Sequence, residues 1–165
     1  YVKTSYDLLE MMVKAVSLNG NFVLNFGPDG KGNIRSEETK LAKEIGDWMK
    51  INKEAIYGTS HSTVQKQDWG YFTQKGNKLY MCVFNRPINN LLKIEIPKGG
   101  IIPMKAYFLE NNQETEIQNA GKNKRNSSLY HVAVPASYKT DRPFVIVLEM
   151  QENTKEEGEY QQAKI

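Results

Sequence analysis

The side chains best placed for chemistry sit in one loop and in one cluster of rings. Gly27-Pro28-Asp29-Gly30-Lys31-Gly32 follows a short apolar run and precedes a helical one, the setting in which free N–H groups at a helix start can cradle a phosphate. Gly27 and Gly32 have the spacing of a GxxxxG core, but Asn33-Ile34 stands where a phosphate loop needs Lys and then Ser or Thr. No GxGxxG occurs, and a calcium loop starting at Asp29 fails at Lys31, where an oxygen ligand is required. The glycines therefore read as tight-turn residues. Acid/base work by a carboxylate pair needs two carboxyls about 5 to 9 Å apart across the bond to be broken. Asp29, at the end of the apolar run, has no evident partner for this, so a turn-forming role is favoured.

His61 and His131 lie far apart, with no Asp or Glu spacing that would build a metal site or a relay. His131 falls on the strand face opposite Tyr130 and Val132, which predicts a solvent-facing or sheet-edge position. Cys82 sits in an apolar strand and reads as a small core hydrophobe. Asn126-Ser127-Ser128 fits the N-glycosylation tripeptide, which matters only in a secretory setting. Trp69, Tyr71 and Tyr107 could form an aromatic platform for a sugar ring. The favoured alternative is that they anchor the first strand against a core. Nothing calls for a metal or a cofactor.

The elements that must position these residues follow from periodicity. Thr4 or Ser5 caps a helix with Asp7 in its first turn, and Leu8, Leu9, Met12, Val13 and Val16 repeat at helical spacing up to an αL stop at Asn19-Gly20. Asn21 to Phe26 is apolar on both faces and predicts a strand of a covered parallel sheet. Ser36 is expected to cap a second helix, with Leu41, Ile45 and Trp48 on one face. From about Trp69 the period becomes 2, and short alternating runs separated by turns predict an antiparallel β-sandwich. Glu114 to Asn119 reads as a polar edge strand, Ala120 to Asn126 as a loop, and Gln151 to Ile165 as a polar tail.

Composition bounds the function classes. The chain has 165 residues, one Cys, and 22 Lys+Arg against 19 Asp+Glu. A single Cys makes no internal disulfide and no Cys-rich zinc site. The near-even charge, +3 net, does not by itself imply nucleic acid, and none is expected as a partner. No run approaches the ~18 apolar residues of a membrane span. The chain opens without an initiator Met or a targeting segment and is read as the C-terminal part of a longer protein.

Gly20-Asn21-Phe22-Val23-Leu24-Asn25-Phe26-Gly27-Pro28 resembles the "GGN-L-LLN-IGP-x-x-DG-x-I" run of the family 29 glycoside hydrolases, the α-L-fucosidases. Asn19 stands at the first Gly of that run. Ile45-Gly46-Asp47-Trp48 and Asn52-Lys53-Glu54-Ala55-Ile56-Tyr57-Gly58-Thr59 are similar to "G-x-W-L-x-x-N-G-E-A-I-Y", with Lys53 in place of Gly. Leu8 to Leu18 is similar to the helix just upstream in that family. The resemblance implies residues 1–60 as the last helix-strand-helix of a (β/α)8 catalytic barrel, residues 61–150 as a C-terminal β-sandwich and residues 151–165 as a tail. It further implies a retaining glycosidase acting on fucosylated glycans, with an Asp nucleophile and a Glu acid/base on earlier strands outside this chain. Asn25, Phe26 and Gly27 would then be active-site scaffold at the C-terminal end of the last barrel strand. A secreted, periplasmic or lysosomal location is implied, as is packing on the rest of the barrel; in the chain alone the uncovered surface is expected to pack on the sandwich, pair with another copy or aggregate. A non-catalytic carbohydrate-binding or structural accessory sandwich is the alternative.

Overall fold

The computed structural model describes residues 3–151. Helix α1 (Ser5–Ser17) opens in a capping box: the Asp7 N–H donates to Thr4 Oγ1 at 3.2 Å, and the Thr4 N–H donates to Asp7 Oδ2 at 2.9 Å. Its end is also as expected, with Asn19 at φ 60°. Helix α2 (Ser36–Asn52) starts one residue earlier than the Ser cap implies. Arg35 holds the cap position and offers no side-chain acceptor, while Ser36 is already helical. Glu37 and Glu38 in the first turn face the positive dipole end instead. A 3₁₀ turn, Lys53–Ala55, ends the helical part.

Nine strands follow: β1 (Ser60–His61), β2 (Gly70–Lys75), β3 (Lys78–Val83), β4 (Leu91–Ile96), β5 (Ile102–Phe108), β6 (Glu114–Thr115), β7 (Ile117–Lys122), β8 (Ser128–Ala133) and β9 (Phe144–Gln151). They form a six-stranded sheet, β1-β2-β3-β9-β5-β6, and a three-stranded sheet, β4-β8-β7, with every pairing antiparallel. The expected edge strand at 114–119 is in fact two strands. The chain changes sheets at Glu116, so β6 closes one sheet and β7 begins the other. β7 also runs on through Ala120–Lys122, expected to be loop, with its register shifting where Gly121 adopts φ 88°.

Alternation along the strands sorts side chains into two cores. Phe72, Leu79, Met81, Val83, Ile146 and Leu148 meet Leu92, Ile94, Ile96 and Val132 between the sheets. On the opposite face, Tyr71, Tyr80, Cys82, Val145 and Val147 meet Leu9, Val13, Trp48, Ala55 and Ile56 from the helical part. The six-stranded sheet is thus a middle layer, covered by the small sheet on one side and the helices on the other. Trp48 fastens the helical layer, since its buried Nε1–H donates to the Pro143 carbonyl at 2.8 Å. The strand expected at Asn21–Phe26 does not form. A strand exists through ladder bonds to neighbours, and no described strand pairs with residues 20–29. The polar tail lies, past Gln151, outside the described residues.

Candidate functional site

The residues singled out for a site lie on the stretch between α1 and α2. Asn25 and Gly27 are exposed and Phe26 is half-buried. Burial alternates along residues 21–26, with Phe22, Leu24 and Phe26 turned in and Asn21, Val23 and Asn25 turned out. Beside this stretch lies a cleft of about 430 Å³, lined by Met12, Val16, Phe22, Met49 and Ile56, with Asn19 and Tyr57–Thr59 at its rim. Large apolar side chains remain exposed in the helical part, Leu18 at 71% and Val23 at 77%, with Ile34 and Tyr57 also open.

Asp29 forms a turn, as its sequence position suggested. Its Oδ1 accepts from the N–H groups of Lys31 and Asn33, both at 2.9 Å, and Gly32 closes the turn at φ 84° with its N–H on the Asp29 carbonyl. The backbone donors from Asn33 and then Lys31 hold its carboxyl below the usual carboxylate range. An anion already satisfied by two amides is a poor general base. Asp47 is also occupied. It lies half-buried on α2, 2.8 Å from Lys43 Nζ and 3.8 Å from Lys50 Nζ, and the Lys43 bond lowers its pKa.

The three rings do not share a surface. Trp69, 3% exposed, enters the core between the sheets, donates from Nε1 to the Lys93 carbonyl at 2.9 Å and meets Phe72 edge-on at 5.0 Å. Tyr71 and Tyr107, each 8% exposed, face the helical layer. Their hydroxyls lie 3.1 Å from Glu10 Oε1 and 3.2 Å from Glu149 Oε1 respectively. Burial raises both phenol pKa values, chiefly by desolvation. Each of the three rings is thus buried against a neighbouring layer.

His131 is half-buried on the central strand of the small sheet, between Lys93 and Gln118. Cys82 is fully buried, and desolvation pushes its thiol up to about 12. A pairing that sequence spacing did not reveal joins Asn19 to His61, 42 residues apart. Asn19 was legible as a helix stop and His61 as an isolated histidine, but nothing in local pattern links them.

A family model described as "Alpha-L-fucosidase" matches residues 1–54. The chain is 36% identical over 98 residues to an α-L-fucosidase of Dictyostelium discoideum, covering 57% of this chain and 21% of that protein. It is 32% identical over 116 residues to the plasma α-L-fucosidase of Pongo abelii, covering 67% and 25%. Among solved structures, a GH29 α-L-fucosidase from Bacteroides thetaiotaomicron matches at 38% identity and TM-score 0.81, over 92% of this chain and 33% of that one. Isoenzyme 1 from Paenibacillus thiaminolyticus matches at 31% and 0.75, over 91% and 35%. The chain spans 21% of the Dictyostelium relative's length and 33% of the Bacteroides structure's.

Proposed function

We propose that this chain, a relative of the α-L-fucosidases of glycoside hydrolase family 29 that corresponds to their C-terminal portion, serves a longer protein that hydrolyses terminal α-L-fucose from glycans with retention. The catalytic Asp and Glu belong to the remainder of that protein, and this piece supplies scaffold. The observation that carries the reading is the 38% identity to a GH29 fucosidase across 92% of the chain, helical and β parts alike.

In this reading residues 1–60 complete the catalytic barrel and residues 61–150 form the sandwich behind it. The apolar stretch 21–26, without ladder partners here, takes them from the barrel strands on either side. Exposed Leu18, Val23, Ile34 and Tyr57 are covered by the same packing. Asn25, Phe26 and Gly27 then stand at the mouth of the barrel, where Asn25 can orient a neighbouring loop or carboxylate by hydrogen bonding. The sandwich acts as a structural support, which the shared core of helices and middle sheet favours over glycan binding. A glycan-degrading role suits a secreted, periplasmic or lysosomal location. Fucosylated glycans are partners of the whole protein, not of this piece alone.

Turnover of an aryl α-L-fucoside tests this. The full-length protein should cleave it with the anomeric configuration retained, and the pure 165-residue chain should not cleave it at all. Robust cleavage by the isolated chain, or a full-length protein inert to α-fucosides, overturns the reading. Titrating the chain with fucosylated oligosaccharides should leave the NMR signals of Trp69, Tyr71 and Tyr107 in place.

A further inference from the structure

Helix α1 ends in a Schellman turn. The Gly20 N–H donates to the Ala15 carbonyl at 2.7 Å, the Asn19 N–H donates to the Val16 carbonyl at 3.0 Å, and Asn19 takes the left-handed position. That conformation turns its carboxamide to the end of edge strand β1. The His61 backbone N–H donates to Asn19 Oδ1 at 2.7 Å, and Asn19 Nδ2 lies 2.7 Å from His61 Nδ1. The first bond decides the second. With the amide turned over, Nδ2 would face the His61 backbone N–H, donor against donor, so Oδ1 must sit where it is. Nδ2 can only donate, and the Nδ1 it faces must therefore present a lone pair.

We infer that Asn19 and His61 form a tautomer-locked clamp, which leaves the ring proton on Nε2 and fixes how the stretch Gly20–Gly27 leaves the helix. The two ends it joins are the last turn of α1 and the edge of the middle sheet, so the clamp transmits the position of the sheet to the residues that follow. A proton on Nδ1 in place of Nε2 would set donor against donor at 2.7 Å and break the side-chain half of the clamp. The groups on the surrounding elements do not replace the lost acceptor. Opposite β1, Thr73 and Gln74 of β2 are uncharged, and Lys75 donates to the Tyr57 carbonyl at 3.1 Å. On α1, Lys14 is a cation in the last turn, Glu10 is engaged by the Tyr71 hydroxyl, and Asp7 caps the far end. Lys66 lies over the Tyr71 ring at 5.0 Å. The clamp stands apart from the fucosidase reading. Only its bearing on Asn25–Gly27 as active-site scaffold rests on that reading.

The test uses the isotopically labelled 165-residue chain and needs no substrate, so its failure and a failure of the fucosidase reading are distinguishable. Long-range ¹⁵N–¹H correlation should find His61 Nδ1 unprotonated and Nε2 protonated. Asn19→Gly suits the comparison, because glycine adopts φ near +60° without strain and only the carboxamide is removed. In that variant the tautomers should mix, the signals of residues 20–27 should move, and exchange of the His61 amide should quicken roughly tenfold, as expected for losing hydrogen bonds worth roughly two- to tenfold each. A native His61 protonated on Nδ1 overturns the inference, and that measurement requires no variant to fold. So do unchanged signals for residues 20–27 in Asn19→Gly.

Discussion

Removing the Trp48 ring should separate a helical layer that shares the core of the β-sheets from one merely tethered to them. Trp48 is 1% exposed, packs into the cluster with Leu9, Val13, Tyr80 and Val147, and donates to the Pro143 carbonyl just before β9. An aromatic ring of this kind buries about 150 to 250 Å². At about 25 cal/mol per Å² this is about 4 to 6 kcal/mol, an upper figure because unfolded chains already bury some surface. Trp→Ala truncations in cores fall at about 3 to 5 kcal/mol, so Trp48→Ala should cost that much. Trp48→Phe keeps most of the ring, loses one hydrogen bond worth about 1 kcal/mol and leaves a small void, for a total of about 1 to 3 kcal/mol. Urea unfolding followed by far-UV dichroism and by Trp69 fluorescence provides the assay. Trp69 lies in the core on the other face of the middle sheet, so it reports the β layers while dichroism reports helices as well. Both signals should move together to lower urea, with an unchanged slope. A loss below about 1 kcal/mol on Trp48→Ala, or a Trp69 transition that stays in place while the helices melt early, would refute the shared core.

Two further outcomes follow from the same packing. Thr4→Ala removes the cap of α1 and should destabilise the chain by about 1 kcal/mol in thermal melts. Asp7 has its pKa lowered, first by the Thr4 N–H and then by the Thr4 side chain. The native contribution of this pair is therefore complete above the ordinary Asp range and lost as pH falls through the folded value. The melting-temperature gap between native and variant should shrink in acid, and a gap constant into strong acid would contradict the box. Cys82, buried with its thiol pushed up to about 12, should resist thiol reagents at mildly alkaline pH until denaturant is added. Rapid labelling of the native chain would mean that the middle sheet opens readily.

The sequence alone carried the local physics. Periodicity of 3.6 and then 2, the Thr4–Asp7 box, the αL stop at Asn19 and the alternation of Leu79, Met81 and Val83 with Tyr80, Cys82 and Phe84 each depend on residues within a turn or a few strand positions of one another. The Asp29 turn was legible for the same reason. Specific motif runs also carried the family resemblance, because spacing within residues 8–59 survives in the string of letters.

What the string could not decide was which surfaces meet. Asn21–Phe26 reads as a strand because its residues are apolar on both faces, yet strand formation needs partners across a ladder, and the described chain provides none. Glu114–Asn119 reads as one strand, but pairing to Ala106–Tyr107 on one side and to Val132–Tyr130 on the other splits it between sheets. Trp69 and Tyr71 have the same parity, which on a continuous strand would place them on one face. The turn at Gly70 reverses this, and its backbone passes so near the Cys82 carbonyl that a Cβ there would lie 1.9 Å away, so only glycine fits. The Asn19–His61 contact likewise exists only once the end of α1 and the edge of the middle sheet are brought together. Local conformation is set by neighbours in sequence, whereas partner choice is set by burial and hydrogen-bond satisfaction across the whole fold.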